Sequence, residues 1–149
     1  MPVPADDPLS LDRQVCFPLY AATNLLQRAY RPVLEPLGLT YSQYLVMLLL
    51  WEHEPASVGE LGERLHLDTA TMTPLLKRME RAGLVSRTRD PQDERRVLIG
   101  LTSKGRALRE QALDVPLTLS NQFDIDPASL DDLRGAVQEM VRTLSRKGG

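Results

Sequence analysis

Three observations predict a mainly α-helical chain with one small β-hairpin. Apolar residues recur at three- and four-residue spacing through most of the 149 positions. Two Ser/Thr-x-x-Glu/Gln capping boxes, Thr40/Gln43 and Ser57/Glu60, mark helix starts. One stretch alone, "LVSRTRDPQDERRVLIGLT", places two strand-like runs on either side of a turn.

The composition, 42% hydrophobic and 26% charged, is that of an ordinary globular chain with a real core. The net charge of −2 hides an asymmetry: residues 57–106 hold ten Lys/Arg and seven Asp/Glu, a local +3 that leaves −5 for the rest. An anionic partner is expected in the middle of the chain. The N-terminal "MPVPADDPLS" is acidic and proline-rich, without a signal-peptide apolar region, and the longest apolar run, Leu45 to Trp51, is too short to span a bilayer. A cytoplasmic location with no membrane partner follows as the expectation. A single cysteine, Cys16, excludes an internal disulfide and any cysteine zinc cage.

Taken in order, residues 1–10 are expected to be a flexible arm. Leu19, Ala22, Leu25, Leu26 and Ala29 then predict an amphipathic helix ending before Pro32. It begins either near Cys16, with Pro18 in its first turn, or near Ser10 with a bend at Pro18. A buried helix is predicted over Tyr41 to Glu52, stopped by Pro55. "ASVGELGERLHL" predicts a short helix with Val58, Leu61 and Leu65 on one face. "DTATMTPLLKRMERAG" predicts the next, with Asp68 or Thr69 as N-cap, Leu75, Leu76 and Met79 inward, and Gly83 as C-cap.

Two short helices joined by "HLD" form a helix-turn-helix pattern. Strands at Leu84–Arg89 and Arg96–Leu101 around the turn Asp90-Pro91-Gln92-Asp93 extend it into a winged helix-turn-helix over residues 57–102. Beyond Thr102 helical spacing returns, with Leu101, Ala107 or Leu108, Leu113 and Leu117 as inward candidates and a bend at Pro116. Asp126-Pro127 opens a last helix to about Arg146, carrying Leu130, Leu133, Val137, Val141 and Leu144. The apolar stripes of the flanking segments, 11–54 and 103–146, exceed what one small winged helix covers, so they are expected to be dimerisation helices of a homodimer. Residues 1–149 are then a single domain.

In this arrangement the helix from Asp68 to Arg81 lies in a DNA major groove. Thr69 and Thr71 reach bases or phosphates, Lys77 and Arg78 lie further along, and Asp68 acts as a cap rather than a phosphate contact. The competing reading of Lys77, Arg78 and Arg81 is a solvated face. In the hairpin, Arg87, Arg89, Arg95 and Arg96 crowd two strands, and Arg87 and Arg95 are expected to join Lys77 and Arg78 in supplying phosphate or groove contacts. Asp93 is placed to hold the Arg95 guanidinium for a narrow minor groove, or simply to pair with it across the turn.

The residues "LDTATMTPLLKRMERAGLVSRTRDPQDERRVLIGLTSKG" resemble the winged helix of the MarR family of bacterial transcriptional regulators, above all in the D-x-R hairpin followed by L-T. "CFPLYAA" and "YRPVLEPLGLTYSQYLVMLLLWEHE" are similar to the organic hydroperoxide resistance regulators of that family. The resemblance runs from about Leu11 to Pro116. It implies a repressor on an inverted-repeat operator in double-stranded DNA, with Cys16 as redox sensor and Tyr30 and Tyr41 as hydrogen-bond donors to it. Tyr20 lines the same pocket. Phenol donors and a helix N-terminus favour the thiolate that a peroxide oxidises.

The resemblance further implies that an organic hydroperoxide, the inducer, converts Cys16 to a sulfenic acid. With no second cysteine, this chain resembles the one-cysteine class, in which a low-molecular-weight thiol forms a mixed disulfide with the oxidised residue or further oxidation follows. The alternative function is a repressor released by a reversible small aromatic ligand, with Cys16 not redox active. An enzyme is not expected. The two imidazoles, His53 at a helix end and His66 in the turn of the helix-turn-helix, have structural explanations, and no catalytic residues, metal cluster or cofactor motif stand out.

Overall fold

The computed structural model describes residues 6–148. The elements run α1 (Cys16–Leu34), α2 (Tyr41–Glu52), β1 (Ala56–Ser57), α3 (Val58–Leu65), α4 (Thr69–Arg81), β2 (Val85–Asp90), β3 (Asp93–Leu101), α5 (Ser103–Ala112), α6 (Val115–Phe123) and α7 (Pro127–Gly148). The mainly helical class with a small β-wing is what the sequence predicts. Residues 1–5 of the expected arm lie outside the described residues. Residues 6–10 form a turn in which Ser10 N–H donates to Asp7 O at 2.9 Å, and a 3-10 turn follows at Leu11–Arg13.

The chain divides into two compact units, one ending at Val115 and one beginning at Pro116. In the larger unit, α1 starts at Cys16, the first of the two expected geometries. Pro18 is its third residue, where a backbone N–H has no intrahelical acceptor to lose. The helix does not stop before Pro32 as expected but runs to Leu34, which is 1% exposed. Proline removes a single i→i−4 bond two residues from the end, and burial of Leu34, about 1.5–3 kcal/mol, outweighs much of that loss. Gly38, at φ 71°, then turns the chain into α2.

Both capping boxes form with both of their hydrogen bonds, at Thr40/Gln43 and Ser57/Glu60. Tyr44, Val46, Met47 and Leu50 of α2 are buried with Leu61 of α3 and Met72, Leu75, Leu76 and Met79 of α4. Between α3 and α4, His66 takes a left-handed conformation at φ 56° and Leu67 N–H donates to Gly62 O at 2.9 Å. A Cβ at Gly62 would stand 2.7 Å from Leu67 O, so this turn requires glycine. Asp68, not Thr69, caps α4, its Oδ1 accepting Thr71 N–H at 2.8 Å. Ala82 is the C-cap, with Gly83 at φ 77° one residue beyond.

The sheet is antiparallel in the order β1-β3-β2, with Val85 opposite Leu101, Arg89 opposite Val97 and a register shift at Arg89/Asp90. β1 escapes sequence reading because two residues carry no periodicity. β3 starts three residues earlier than expected, since the hairpin closes tightly at Asp90 and Asp93.

The expected bend at Pro116 is instead a break, α5 ending at Ala112 and α6 beginning at Val115. Pro116 thus sits in a first turn, where it is tolerated. Leu113 falls in the break itself and Leu117 beyond it, where the helical phase is reset, and both, expected inward, are exposed, while Leu108 is buried. In the smaller unit Asp126 Oδ2 accepts Ser129 N–H at 3.2 Å and caps α7 as predicted. α7 has no buried residue, and Leu133, Val141 and Leu144 are exposed along it. Among the described residues no single helix is long and apolar enough to cross a membrane.

Candidate functional site

With Met72, Leu75, Leu76 and Met79 turned into the core, α4 presents Thr69, Thr71, Lys77, Arg78 and Arg81 to solvent. The helical period separates these two faces. Asp68 is committed to its cap: hydrogen bonding from Thr71, side chain first and backbone second, holds its carboxyl below the ordinary 3.8.

The four hairpin arginines have different surroundings. Arg95 is 91% exposed, and Asp93 Oδ1 accepts both its Nε–H and its backbone N–H at 3.1 Å. The contact engages Nε and leaves the outer guanidinium nitrogens facing solvent. Arg95 in turn holds the Asp93 carboxyl below 3.8, with a smaller contribution from Arg96. Arg87 is only 24% exposed, lies 4.0 Å from Glu80 of α4, and has a buried Nε with no hydrogen-bond partner. Arg89 donates to the Glu94 carbonyl at 2.7 Å. Arg96 spans two carboxylates, Glu60 of α3 at 3.0 Å and Asp90 at 3.4 Å.

Sequence reading missed the joint at the root of the wing. Glu54, just beyond α2, accepts the Leu101 backbone N–H at 2.9 Å and the Arg106 guanidinium at 2.6 and 2.9 Å. Its partners are 47 and 52 positions away in sequence, so no local pattern announces them. Glu60 shows the same limit. Its capping role is legible at three-residue spacing, whereas its pairing with Arg96 crosses 36 positions.

Cys16, the first residue of α1, is exposed, and Tyr20 follows one turn later, also exposed. Tyr30 and Tyr41 come together with ring centroids 4.7 Å apart, and Tyr44 joins them at 5.8 Å from Tyr30. Burial, then the neighbouring Tyr41 and Tyr44, pushes Tyr30 up to about 12. Tyr41 and Tyr44 are raised mainly by burial. All three are protonated hydroxyl donors at neutral pH. Tyr30 lies fourteen positions beyond Cys16 on one helix, about 21 Å at 1.5 Å per residue. The structure therefore gathers Tyr30, Tyr41 and Tyr44 at one end of α1 and leaves Cys16 with Tyr20 at the other. His53 caps the end of α2 and His66 occupies the left-handed turn.

Comparison with known proteins identifies the family of this fold. The MarR family model matches residues 39–97. The organic hydroperoxide resistance transcriptional regulator of Bacillus subtilis is 45% identical over 141 residues, 95% of this chain and 96% of that protein. Reduced AbfR bound to DNA superposes with a TM-score of 0.78 at 34% identity, covering 93% of this chain and 95% of the other; AbfR has been solved from Staphylococcus epidermidis. Overoxidised AbfR bound to DNA gives 0.73 at 34% identity, covering 90% and 94%. On sequence and fold together, the chain belongs to the MarR family, as a one-cysteine homologue of the organic hydroperoxide resistance regulators and not an enzyme.

Proposed function

We propose that the chain is a cytoplasmic homodimeric repressor that reads an inverted-repeat operator through residues 57–102 and releases it when an organic hydroperoxide oxidises Cys16. The observation that carries this reading is the near full-length identity to a hydroperoxide resistance regulator, combined with an exposed thiol in the first turn of α1. α4 enters the major groove, with Thr69 and Thr71 near its N-terminus and Lys77 and Arg78 on its outer face. Arg95, held by Asp93, reaches the flanking minor groove.

Segments 11–54 and 103–146 supply the dimer contacts. Val15 just before α1, Phe17, Leu25 and Leu26 on α1, and Leu133 and Leu144 on α7, are large apolar residues exposed in the single chain. A two-fold dimer with α1 helices crossing in opposite directions also resolves the 21 Å separation. Cys16 of one protomer then meets Tyr30 and Tyr41 of the partner subunit, while Tyr20 lies beside its own cysteine. The phenols donate hydrogen bonds that favour a thiolate.

The thiolate sulfur attacks the terminal peroxide oxygen, the O–O bond breaks, and the alkoxide leaves with a proton as an alcohol. Cys16 becomes a sulfenic acid. A low-molecular-weight thiol then displaces hydroxide from that sulfur and forms a mixed disulfide, with water as the other product. Either adduct adds bulk at the dimer interface and changes the spacing of the two winged helices.

The test is release of a DNA duplex, selected from a random library by the reduced protein, on addition of cumene hydroperoxide with and without free cysteine, for wild type and Cys16→Ser. Intact mass is followed in parallel. Cys16-dependent release with a gain of one oxygen or one thiol adduct is expected. Retention of DNA by both proteins at unchanged mass would overturn the redox reading and leave a reversible aromatic ligand as the inducer.

A further inference from the structure

The hairpin carries four arginines, which the simplest electrostatic view would send to DNA together. The structure commits three of them to the protein. Arg89 closes the hairpin on the Glu94 carbonyl. Arg87, on β2, packs toward Glu80 of α4, and Arg96, on β3, bridges Glu60 of α3 and Asp90 at the end of β2. We propose that Arg87 and Arg96 are positioning residues, two struts that brace the wing against both helices of the helix-turn-helix and leave Arg95 as the hairpin's DNA-contacting cation. This rests on the DNA-binding reading given above.

Charge supports the division. Arg96 sits between two carboxylates, so that cluster is net −1 and repels phosphate; Arg87 and Arg95 each face one carboxylate and are separated by burial, Arg87 being 24% exposed with a buried Nε. Arg95 projects, 91% exposed, beside a single carboxylate.

Geometry supplies the need. β1 pairs with β3 only at Leu98 and Ile99, near the root, so the distal ladder from Asp90 to Asp93 has no third strand. Two-stranded ribbons twist freely. A tip contact has to arrive in register with α4, and a strut to each helix fixes that angle from two sides. Asp90 strengthens the brace by a second contact, accepting Gln92 N–H in the turn at 2.9 Å. Partly exposed ion pairs contribute little to folding, so the role of these struts is orientation, and that separates the proposal from a merely structural one.

The experiment uses full-length reduced protein and the selected duplex, reading dissociation constants against salt, footprints over the flanks, and thermal midpoints. The variants are Arg95→Gln, Arg96→Gln, Arg96→Lys and the double Arg95→Gln/Arg96→Gln. Arg96→Gln is expected to weaken binding roughly tenfold and to flatten the salt slope by about one, as Arg95→Gln does, with the flank footprint lost and the midpoint nearly unchanged. In the double variant Arg96→Gln adds nothing further, because the tip contact is already gone.

Arg96→Lys decides between brace and contact. Lysine keeps the charge but cannot hold two carboxylates with one planar fork, so a brace fails and a phosphate contact survives. Wild-type binding and slope in Arg96→Lys, additivity in the double variant, or a binding loss matched by a large fall in thermal midpoint would each overturn the proposal. Arg87→Lys, read the same way, tests the second strut and stands in should an Arg96 variant not fold.

Discussion

The Trp51 indole N–H donates to the Gly105 carbonyl at 3.0 Å, tying the last turn of α2 to the first turn of α5. Beside it Glu54 grips Leu101 and Arg106, so the end of α2, the root of the wing and the start of α5 meet at one joint. Gly105 is needed where α5 packs on the start of the wing, since a Cβ there would clash with the Leu84 carbonyl oxygen.

Gly105→Ala is therefore expected to destabilise the fold by more than about 3 kcal/mol, because backbone and not a flexible side chain must move. Trp51→Phe, which removes only the hydrogen bond and part of the ring, is expected to cost about 1–2 kcal/mol. Urea midpoints check both; an alanine tolerated within about 0.5 kcal/mol would contradict the packing described.

Asp68→Ala removes the N-cap of α4 and should lower the urea midpoint. DNA affinity should fall only to the extent that the first turn frays, and Asp68→Ser should restore most of both. If Asp68→Ala bound DNA more tightly at unchanged stability, repulsion of phosphate and not capping would be the residue's main effect.

Tyr30→Phe and Tyr41→Phe should slow oxidation of Cys16 by cumene hydroperoxide while leaving the reduced protein's DNA affinity within a factor of about two, since neither lies on α3, α4 or the hairpin. Dimedone trapping of the sulfenic acid gives the rate. Oxidation at the wild-type rate in both variants would exclude phenol activation.

Asp93 titrates below 3.8 because Arg95 holds it ionised. A carboxyl depressed in the folded state stabilises fully above its unfolded value, and the contribution disappears as pH falls through the depressed value. Carbon-13 chemical shifts should place the Asp93 midpoint below 3.8 and return it upward in Arg95→Gln. An unmoved midpoint would show that the ion pair is absent in solution.

Much of the fold was legible because its determinants are local. Thr40 and Gln43, Ser57 and Glu60, and Asp126 with Pro127 state their helix starts within four residues, and the outward face of α4 follows from the spacing of its buried leucines and methionines. Pro32 misled because local rules forbid what one buried leucine, Leu34, can outweigh. Leu113 misled because it falls in a two-residue break, and Leu117 because that break shifts the phase of every later position. At the candidate site, one partner could be chosen from sequence, Asp93 for Arg95 at two-residue spacing, whereas the partners of Arg87 and Arg96 could not. Nothing near Arg87 or Arg96 announces that they turn toward the protein, since Glu80, Glu60 and Asp90 reach them only after folding.

The distance along α1 between Cys16 and Tyr30 has a genetic corollary. If each thiol depends on phenols of the other chain, two defective alleles can complement. A mixed dimer of Cys16→Ser and Tyr30→Phe chains regains one intact pocket, the cysteine of the second chain facing the tyrosine of the first, while its other pocket is doubly dead. The mixed dimer, separated from the two homodimers by differential tags, should respond to peroxide at the wild-type rate with half the number of reactive thiols per dimer, although each variant fails or lags alone.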